Sequence, residues 1–438
     1  MDSSQYDLIT IGGGLGASAL AIAMARHGAR VLVLEKEKQF RDRVRGESLV
    51  PWGVAEANEL GISDVLLKNC AKEIPWVEMG WGPRNLAETT PQRVPSWSYC
   101  HPEMQTALLA EAEKAGARVR REVIVEGVEL NDGAPVVIAR SSAGAERIAT
   151  RLVVAADGRG SAVRKWAGFT SQIRPLPFHF AGVLMTGVTV RDDMVTFLFS
   201  SELGAVVGIV PQLQQRCRAY LGYSKSRQLN LQGPDKLQSF LEESKKVSPI
   251  VAEAYANVEK IGPLASFETG ESWVEHPYRD GVALLGDAAG TSDPSFGQGM
   301  ATTLRDARVL RDALLANSDW HKAGDDYARQ HDTYFRNVFK VCGWLRTLFQ
   351  DPAADAQAIR QRAMARPDNT GRFPVSSTPH WGTFVKNRYS GGRTRPAPGN
   401  RQQLDSLLPK LRPRVYLFGA PVNISRASPR LNGASIPT

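Results

Sequence analysis

One short turn near the N-terminus constrains the fold more than any other feature of this sequence. The apolar stretch Tyr6 to Ile11 is followed by the run Gly12-Gly13-Gly14-Leu15-Gly16-Ala17, and small and aliphatic residues at helical spacing continue to His27. A second apolar stretch, RVLVLE, ends at Glu35. A strand, a tight turn, a helix and a second strand within about 30 residues begin a doubly wound nucleotide-binding sheet. We therefore predict an α/β fold with a Rossmann-type domain.

The glycine run fits the pattern G-x-G-x-x-G/A. In that pattern Gly12 makes the turn, Gly14 lets the backbone approach a pyrophosphate, and Ala17 allows close packing of the helix. The phosphates would lie at the helix N-terminus, where free N–H groups favour anions. Glu35 stands 21 residues after Gly14, at a position suited to ribose hydroxyls. The motif alone does not separate FAD from NAD, because both carry an ADP group.

Two later stretches favour FAD. Asp157-Gly158 ends the apolar stretch that begins at Val153, and Asp287 follows a second one with Gly286 before it, so ribityl hydroxyls can reach its carboxylate. The run Gly297-Gln298-Gly299-Met300 then opens a helix. A helix N-terminus aimed at a reduced flavin stabilises its negative charge by about 1 kcal/mol.

Charge and cysteine usage exclude several classes of protein. The net charge is +9, but eight basic residues and one acid fall between residues 390 and 438, which leaves +2 for the rest of the chain and no basic stripe for nucleic acid. No apolar run approaches the roughly 18 residues that span a membrane, and no leader precedes the first strand, so we expect a cytoplasmic protein without a membrane partner. The four cysteines have no metal-ligand spacing, and no metal is expected. These cysteines are Cys70, Cys100, Cys217 and Cys342.

The rest of the chain predicts an inserted second domain. Residues 1–75, 98–172 and 274–350 are assigned to the FAD-binding domain, which includes an antiparallel meander between residues 118 and 156 and two long helices near its end. Residues 76–97 and 173–273 are assigned to an antiparallel-sheet substrate domain with one helical stretch, Asp235 to Ala256. Residues 351–389 form a C-terminal extension, and the basic tail 390–438 is expected to be disordered, with RVYLFGAPV its only strand-like segment.

Taken together, these motifs resemble those of the FAD-dependent aromatic hydroxylases, relatives of para-hydroxybenzoate hydroxylase, over roughly residues 6 to 350. The resemblance implies that NAD(P)H visits the Asp157-Gly158 region without a second nucleotide-binding domain. The residues expected to contact FAD are Gly12, Gly14, Leu15, Gly16, Ala17, Glu35, Lys36, Arg45, Gly46, Ser48, Gln105, Val125, Asp157, Gly158, Gly286, Asp287, Pro294, Gly297, Gln298, Gly299 and Met300.

One position departs from the pattern of these hydroxylases. Where they have an arginine before the first long helix, this chain has His101, with Gln105 following in register. Loss of the guanidinium weakens a phosphate or ribose contact, although a neutral histidine still donates one hydrogen bond. Arg45, in the RVRGES loop after the second strand, is expected to reach the isoalloxazine ring.

The resemblance also implies the reaction: NAD(P)H reduces FAD, oxygen reacts, and a flavin C4a-hydroperoxide transfers one oxygen atom to an electron-rich, aromatic small molecule. The hydroperoxide needs a dry site, which Pro294 and Phe296 are placed to provide. The catalytic candidates are Arg45, Pro294 and His179, while Tyr220 and Tyr223 can equally be packing residues. A monomer or a homodimer is expected.

Three alternatives stay open. RGESLVP and Asp293-Pro294 also occur in flavin-dependent halogenases, which need a lysine such as Lys72, but the tryptophan-rich signature of that group is absent. A reductase of isoprenoid double bonds, of the geranylgeranyl reductase type, shares the Asp-Pro pair. A flavoprotein that acts only as a redox-responsive binding partner is the non-enzymatic alternative. We favour the hydroxylase.

Overall fold

The computed structural model of the chain describes residues 6–364 except 81 and 132–133, together with 415–417 and 420–422. Two sheets dominate this part of the chain, and the nucleotide-binding motifs all lie on the first. The predicted α/β class with a Rossmann-type region and an antiparallel sheet is confirmed.

The first sheet is largely parallel. Five strands run in the order β19-β11-β1-β2-β8 with parallel pairing, β18 pairs antiparallel with β19 at one edge, and β9 and β10 extend β11 as the predicted meander. Its strands are β1 Tyr6–Ile11, β2 Val31–Glu35, β8 Arg118–Arg121, β9 Ile124–Glu129, β10 Val136–Ser141, β11 Gly144–Ala155, β18 Tyr278–Arg279 and β19 Val282–Leu284. Strands β1, β2 and β19 are apolar and almost entirely buried, as expected of strands covered on both faces.

Helices cover this sheet on one face and continue beyond it. The helices of the described chain are α1 Leu15–Arg26, α2 Pro51–Glu59, α3 Ser63–Asn69, α4 Leu86–Thr89, α5 His101–Lys114, α6 Ala162–Trp166, α7 Lys236–Lys245, α8 Pro249–Ala254, α9 Gly299–Ala316, α10 Trp320–Phe349 and α11 Ala354–Met364. Helix α1 packs between α5 and α9, and α10 packs on α9. Small residues along α1, such as Ala17 and Ala21, are fully buried and permit this close approach.

The second sheet is mostly antiparallel, in the order β20-β17-β12-β15-β14-β13-β5-β6, with β16 on β12. Its strands are β5 Trp76–Glu78, β6 Arg84–Asn85, β12 Gln172–Thr186, β13 Met194–Ser200, β14 Ala205–Pro211, β15 Cys217–Ser224, β16 Glu259–Lys260, β17 Ala265–Trp273 and β20 Gly290–Thr291. Because β20 follows Asp287 in the chain, the second sheet reaches the nucleotide-binding motifs directly. The domain boundaries given above stay a prediction.

The single helical stretch predicted from Asp235 to Ala256 is wrong. The chain forms α7 and α8 there, and α8 begins at Pro249 with the Ser248 hydroxyl accepting from the Ile250 N–H at 3.3 Å. Proline has no N–H to donate to the preceding turn, so it starts a helix rather than continuing one.

A third sheet is small and separate from the two large ones. It is formed by β3 Ser48–Leu49, β4 Lys72–Ile74 and β7 Ser96–Ser98. All four cysteines are buried and form no disulfide. No helix in the described ranges is long and apolar enough to cross a membrane.

The predicted disorder of the tail 390–438 lies outside the described residues, apart from one short hairpin. Strands β21 Val415–Leu417 and β22 Ala420–Val422 pair antiparallel, in the segment that was predicted to be strand-like.

Candidate functional site

The parallel sheet brings the separate motifs together. Gly12 follows β1, Glu35 ends β2, Asp157 follows β11 and Gly286 follows β19, so all four stand at the carboxyl ends of adjacent parallel strands. In doubly wound sheets this edge is where ligands bind.

The glycines of the first turn have different tasks. Gly12 has a φ of +98°, and a Cβ there would lie 2.6 Å from the Ala156 carbonyl oxygen, so no other residue fits. A Cβ on Gly16 would lie 2.1 Å from Leu285 Cδ2, so Gly16 permits close packing beside the fully buried Ala17. At Gly14 only Gln105 Nε2 comes within 4.0 Å of the Cβ position. The backbone is therefore open to a ligand at Gly14, with Gln105 beside it.

The first turn of α1 has free N–H groups where the motif predicts a phosphate. The first intrahelical bond is donated by Ser18 N to Gly14 O at 2.9 Å, which leaves the N–H groups of Leu15, Gly16 and Ala17 without helical acceptors. These donors face the open space at Gly14, so they can bind a pyrophosphate.

Glu35 has a structural task in addition to the predicted one. Its carboxylate accepts from Gly13 N at 2.7 Å and from Glu37 N at 2.8 Å, which ties the glycine turn to the end of β2. A carboxylate has about four lone-pair sites, so acceptor capacity remains for ribose hydroxyls. Lys36 is exposed, and Val125 on β9 packs against the apolar cluster behind the sheet.

The two carboxylate oxygens of Asp157 also have different environments. Oδ2 accepts from the N–H groups of Ala162 and Val163 at 2.8 and 3.3 Å and so caps α6. Oδ1 is buried without a hydrogen-bond partner in the described chain, and Gly158 turns away with a φ of +85°. A buried acceptor without a donor costs free energy, which a hydroxyl of a bound nucleotide would relieve.

Asp287 carries the strongest signal for a bound polyol. It is half-buried in a short 3-10 turn after β19, and its carboxylate has no hydrogen bond or ion pair within the described ranges. The turn is held from behind, because Asp306 on α9 accepts from Gly286 N at 2.8 Å and from the Tyr334 hydroxyl. Burial raises the pKa of Asp306 to about 6. Asp306 and Tyr334 carry no motif, and the sequence analysis missed them.

The start of α9 presents backbone rather than side chains. No atom lies within 4 Å of the Cβ positions of Gly297 and Gly299, and Gly297 has a φ of +63°. The Gln298 side chain accepts from Trp52 Nε1 at 2.8 Å and donates to the Phe296 carbonyl, so only its backbone is available to a ligand. This helix end therefore has open space for a flat ring, and the contact with flavin stays a prediction.

The loop that contains Arg45 lies beside the start of α9. A Cβ on Gly46 would stand 3.8 Å from Met300 Cε, and the Tyr220 hydroxyl donates to the Arg45 carbonyl at 2.6 Å. The Arg45 side chain is exposed and has no partner in the part of the chain that the structure describes. Arg45 is therefore free to reach a ring placed against α9.

A buried ion cluster holds this loop in place. Glu47, 1% exposed, accepts from Arg218 Nε at 2.7 Å and from Arg218 Nη2 at 3.1 Å, and Arg218 also donates to Asp42 at 2.8 Å. The Gln212 amide donates to the same Glu47 carboxylate. Val44, inside the loop, has a φ of +52°, which is strained for a β-branched residue. The Glu47–Arg218–Asp42 cluster offsets that strain by anchoring the loop to β15.

His101 takes the place of the expected arginine in a neutral form. Its backbone N–H donates to Glu47 Oε1 at 3.0 Å, and its Nδ1 lies 3.0 Å from the Gly46 carbonyl oxygen. A carbonyl only accepts, so Nδ1 carries the proton and Nε2 is left as an acceptor. Desolvation, with a smaller effect from Arg45, lowers the pKa of His101 to about 4, although the Gly46 carbonyl and Asp287 oppose it.

The low pKa of His101 predicts an acid-sensitive fold. The unfolded chain takes up a proton near pH 6.5 and the folded protein only near pH 4, so the stability from neutral His101 is present above pH 6.5 and is lost as the pH falls toward 4. We expect the melting temperature of His101→Gln to fall less over this interval than that of the unsubstituted protein. Thermal melts of both proteins check this, with exposed His27→Gln as the control, and equal slopes for all three would contradict it.

A cavity of about 120 Å³ lies beside the start of α9. Its walls come from Ser48 on β3 and Trp52 on α2, from Phe197 and Phe199 on β13, and from Phe296 in the turn before α9. The Phe199 and Phe296 rings stack with centroids 6.1 Å apart. Aromatic walls on a small cavity suit a flat, apolar guest.

Pro294 is positioned next to this cavity by a second ion pair. The preceding Asp293, 1% exposed, accepts from Ser295 N at 3.0 Å and from Arg346 Nη1 at 2.9 Å. Arg346 lies on α10, so the turn that carries Pro294 is fixed from the C-terminal helices.

Two further candidates lie elsewhere. His179, on β12, has its ring 5.7 Å from that of Tyr223 and does not line the cavity, and its role stays a prediction. Lys72, at the start of β4, is paired with exposed Asp192 at 2.8 Å and does not line the cavity either.

These features match the parts of FAD in order along one edge. The open backbone at Gly14 suits the pyrophosphate, Glu35 the ribose, the unpaired Asp287 the ribityl chain, and the bare start of α9 the ring. A nicotinamide nucleotide lacks the polyol that Asp287 would bind.

Comparison with known proteins agrees with this geometry. The sequence model of the FAD binding domain family matches residues 5–337. Rifampicin monooxygenase of Streptomyces venezuelae is 28% identical over 414 residues, 91% of this chain and 83% of that protein. Digeranylgeranylglycerophospholipid reductase of Methanocella arvoryzae is 25% identical over 347 residues, 78% of this chain and 84% of that protein. The crystal structure of p-nitrophenol 4-monooxygenase from Pseudomonas putida has the same fold, with a TM-score of 0.70, 20% identity and coverage of 82% and 92%.

Proposed function

We propose, since this chain belongs to the FAD binding domain family and is an FAD-dependent oxidoreductase, that it is a monooxygenase of a small aromatic substrate with NAD(P)H as the reductant. The observation that carries the proposal is the aromatic-walled cavity of about 120 Å³ against the start of α9.

The size of that cavity supports a compact substrate. Its volume of about 120 Å³ leaves room for a small guest. Such a space suits one ring better than an extended isoprenoid chain. The aromatic and aliphatic walls also keep water from the reacting centre, which a monooxygenase needs to avoid wasteful release of hydrogen peroxide.

In this proposal bound FAD activates O2 and supplies one oxygen atom to the substrate. The residues of the chain bind and orient. Asp287 would accept hydroxyls of the cofactor, and the free N–H groups that open α9 would stabilise negative charge on the ring. Arg45, exposed on the loop beside α9, would approach the same ring. Phe296 would close the cavity beside the ring, and Pro294 stands in the same short turn.

The halogenase alternative depends on a lysine at the substrate, and none lines the cavity among the described residues. We expect Lys72→Ala to keep more than half of the turnover, because Lys72 is engaged with exposed Asp192. Steady-state NAD(P)H oxidation measures this, with Asp192→Ala as the matched control. A chloride- or bromide-dependent reaction that only Lys72→Ala abolishes would instead support a halogenase.

The reductase alternative is favoured by the similarity to digeranylgeranylglycerophospholipid reductases. Oxygen consumption distinguishes a monooxygenase from a reductase. The FAD-loaded protein, NADH or NADPH, and a panel of phenols and anilines are combined in an oxygen electrode, and products are examined by mass spectrometry. We expect ring-stimulated oxygen uptake and a product 16 Da heavier. Double-bond reduction without oxygen uptake would establish the reductase, and bound FAD without any turnover would favour the non-enzymatic alternative.

A further inference from the structure

One wall of the aromatic-walled cavity is part of a stack of three phenylalanine rings. Phe199, on β13, is the middle ring: its centroid lies 6.1 Å from that of Phe296 and 5.5 Å from that of Phe349 at the end of α10. Phe199 and Phe296 line the cavity, and so does Leu345 on α10, whereas Phe349 stands behind Phe199 and is not part of the lining. Phe349 can therefore affect the cavity only through Phe199.

Phe349 is itself packed from behind. It is buried in an apolar cluster with Leu345 and Leu348, and Ile359 on α11 packs against the same cluster. Side chains in such a close-packed core have little free space to move into. The ring of Phe199 is therefore enclosed between the cavity on one side and the last turn of α10 on the other.

Helix α11 is tied to the end of α10 by hydrogen bonds. Arg360 Nη1 donates to the carbonyl oxygens of Thr347 at 3.0 Å and Asp351 at 2.7 Å. A Cβ on Gly204, in the turn between β13 and β14, would lie 3.7 Å from the Gln350 carbonyl oxygen, so this turn also packs on the end of α10. We call residues 345–360 the α10–α11 corner. It lies outside residues 5–337, which match the FAD binding domain family.

Other parts of the cavity wall are held by hydrogen bonds rather than by apolar contacts alone. Trp52 Nε1 donates to the Gln298 side chain at 2.8 Å, and the Ser96 hydroxyl donates to the Ile74 carbonyl oxygen at 2.9 Å. The phenylalanine stack is held by packing, so the loss of one ring there frees space directly.

We propose that Phe199 and Phe349 are specificity-determining residues that limit the substrate to a single aromatic ring. The inference rests on the proposed function and adds which residues set the length of its substrate. A second fused ring needs the space that Phe199 fills, and Phe199 cannot leave that space while the α10–α11 corner holds Phe349 behind it. Burial of more apolar surface would by itself favour a two-ring ligand, so a preference for one ring is a steric effect of this wall.

Ligand binding tests the proposal without turnover. FAD-loaded protein is titrated with phenol and with 2-naphthol, and binding is followed by perturbation of the flavin spectrum and by calorimetry. We expect the unsubstituted protein to bind phenol at least tenfold more tightly than 2-naphthol. Phe199→Ala and Phe349→Ala should each reverse that preference, because each removes one ring from the stack. Reversal in Phe349→Ala is the sharper result, since Phe349 does not line the cavity.

Phe240→Ala is the matched control. Phe240 is fully buried in the separate core between the second sheet and α7, so this variant also loses a buried ring but should keep the preference for phenol. Thermal melts show whether each variant is folded. Where an alanine variant does not fold, Phe199→Leu or Phe349→Leu leaves a smaller gap and should shift the preference toward 2-naphthol by a smaller factor.

The length limit is overturned if the unsubstituted protein binds 2-naphthol as tightly as phenol, or more tightly. A preference for phenol that persists in either folded variant, Phe199→Ala or Phe349→Ala, would overturn it as well. If neither phenol nor 2-naphthol binds the unsubstituted protein, the cavity is not the substrate site and the proposed function is overturned too. The oxygen-uptake test does not depend on the length limit, so the two proposals fail separately.

Discussion

Replacement of Arg218 by methionine is expected to lower the free energy of unfolding by about 3 to 5 kcal/mol, the usual effect of breaking a buried ion pair. The carboxylates of Glu47 and Asp42, at the interface between β15 and the Arg45 loop, would then lack their cation. The anchored loop would also be released, so we expect weaker FAD binding. Denaturant unfolding measures the first effect and flavin titration the second.

The matched control is Arg216→Met, one position before β15. Arg216 pairs with Glu103, whose side chain is 41% exposed, and such pairs contribute about 1 kcal/mol or less. A double variant, Arg218→Met with Glu47→Gln, removes a charge from each side and should recover part of the lost stability. If Arg218→Met and Arg216→Met destabilise equally, the Glu47–Arg218–Asp42 cluster does not anchor the loop.

Replacement of Asp287 by alanine is expected to weaken FAD binding by about tenfold to a hundredfold, because hydrogen bonds to a charged acceptor contribute about 1.5 to 3 kcal/mol. The carboxylate has no partner in the described chain that its loss would leave unpaired, so the folded apoprotein should keep its melting temperature. Quenching of flavin fluorescence, as FAD is added to the apoprotein, gives the affinity.

Asp287→Asn keeps one acceptor oxygen, so its affinity for FAD should lie between those of Asp287→Ala and the unsubstituted protein. Exposed Asp64→Ala, which also removes one carboxylate, should bind FAD as the unsubstituted protein does. An Asp287→Ala protein that retains full affinity for FAD would show that the ribityl chain lies elsewhere. The FAD contacts assigned to Gly286 and to the residues after it would then be wrong.

Local patterns determined much of this protein in advance. The strand, turn and helix at Gly12 to Ala17 and the start of α9 depend on near neighbours in the chain, and each was predicted from residue order. The break between α7 and α8 was equally local, since Ser248-Pro249 signals a helix start, and here the prediction overlooked it. The close approach of Gly16 to Leu285 was not predicted, because Leu285 lies far along the chain.

Contacts between elements distant in sequence were decided by the tertiary structure alone. Arg218 meets Glu47 across 171 positions, and Tyr334 meets Asp306 across 28, with no pattern in the sequence to mark either pair. Residue order by itself determined the nucleotide-binding edge, because turns and helix ends are set by backbone conformation within a few residues. The environment of each charged group was decided by the folded chain, because burial and pairing depend on what the other elements place around it.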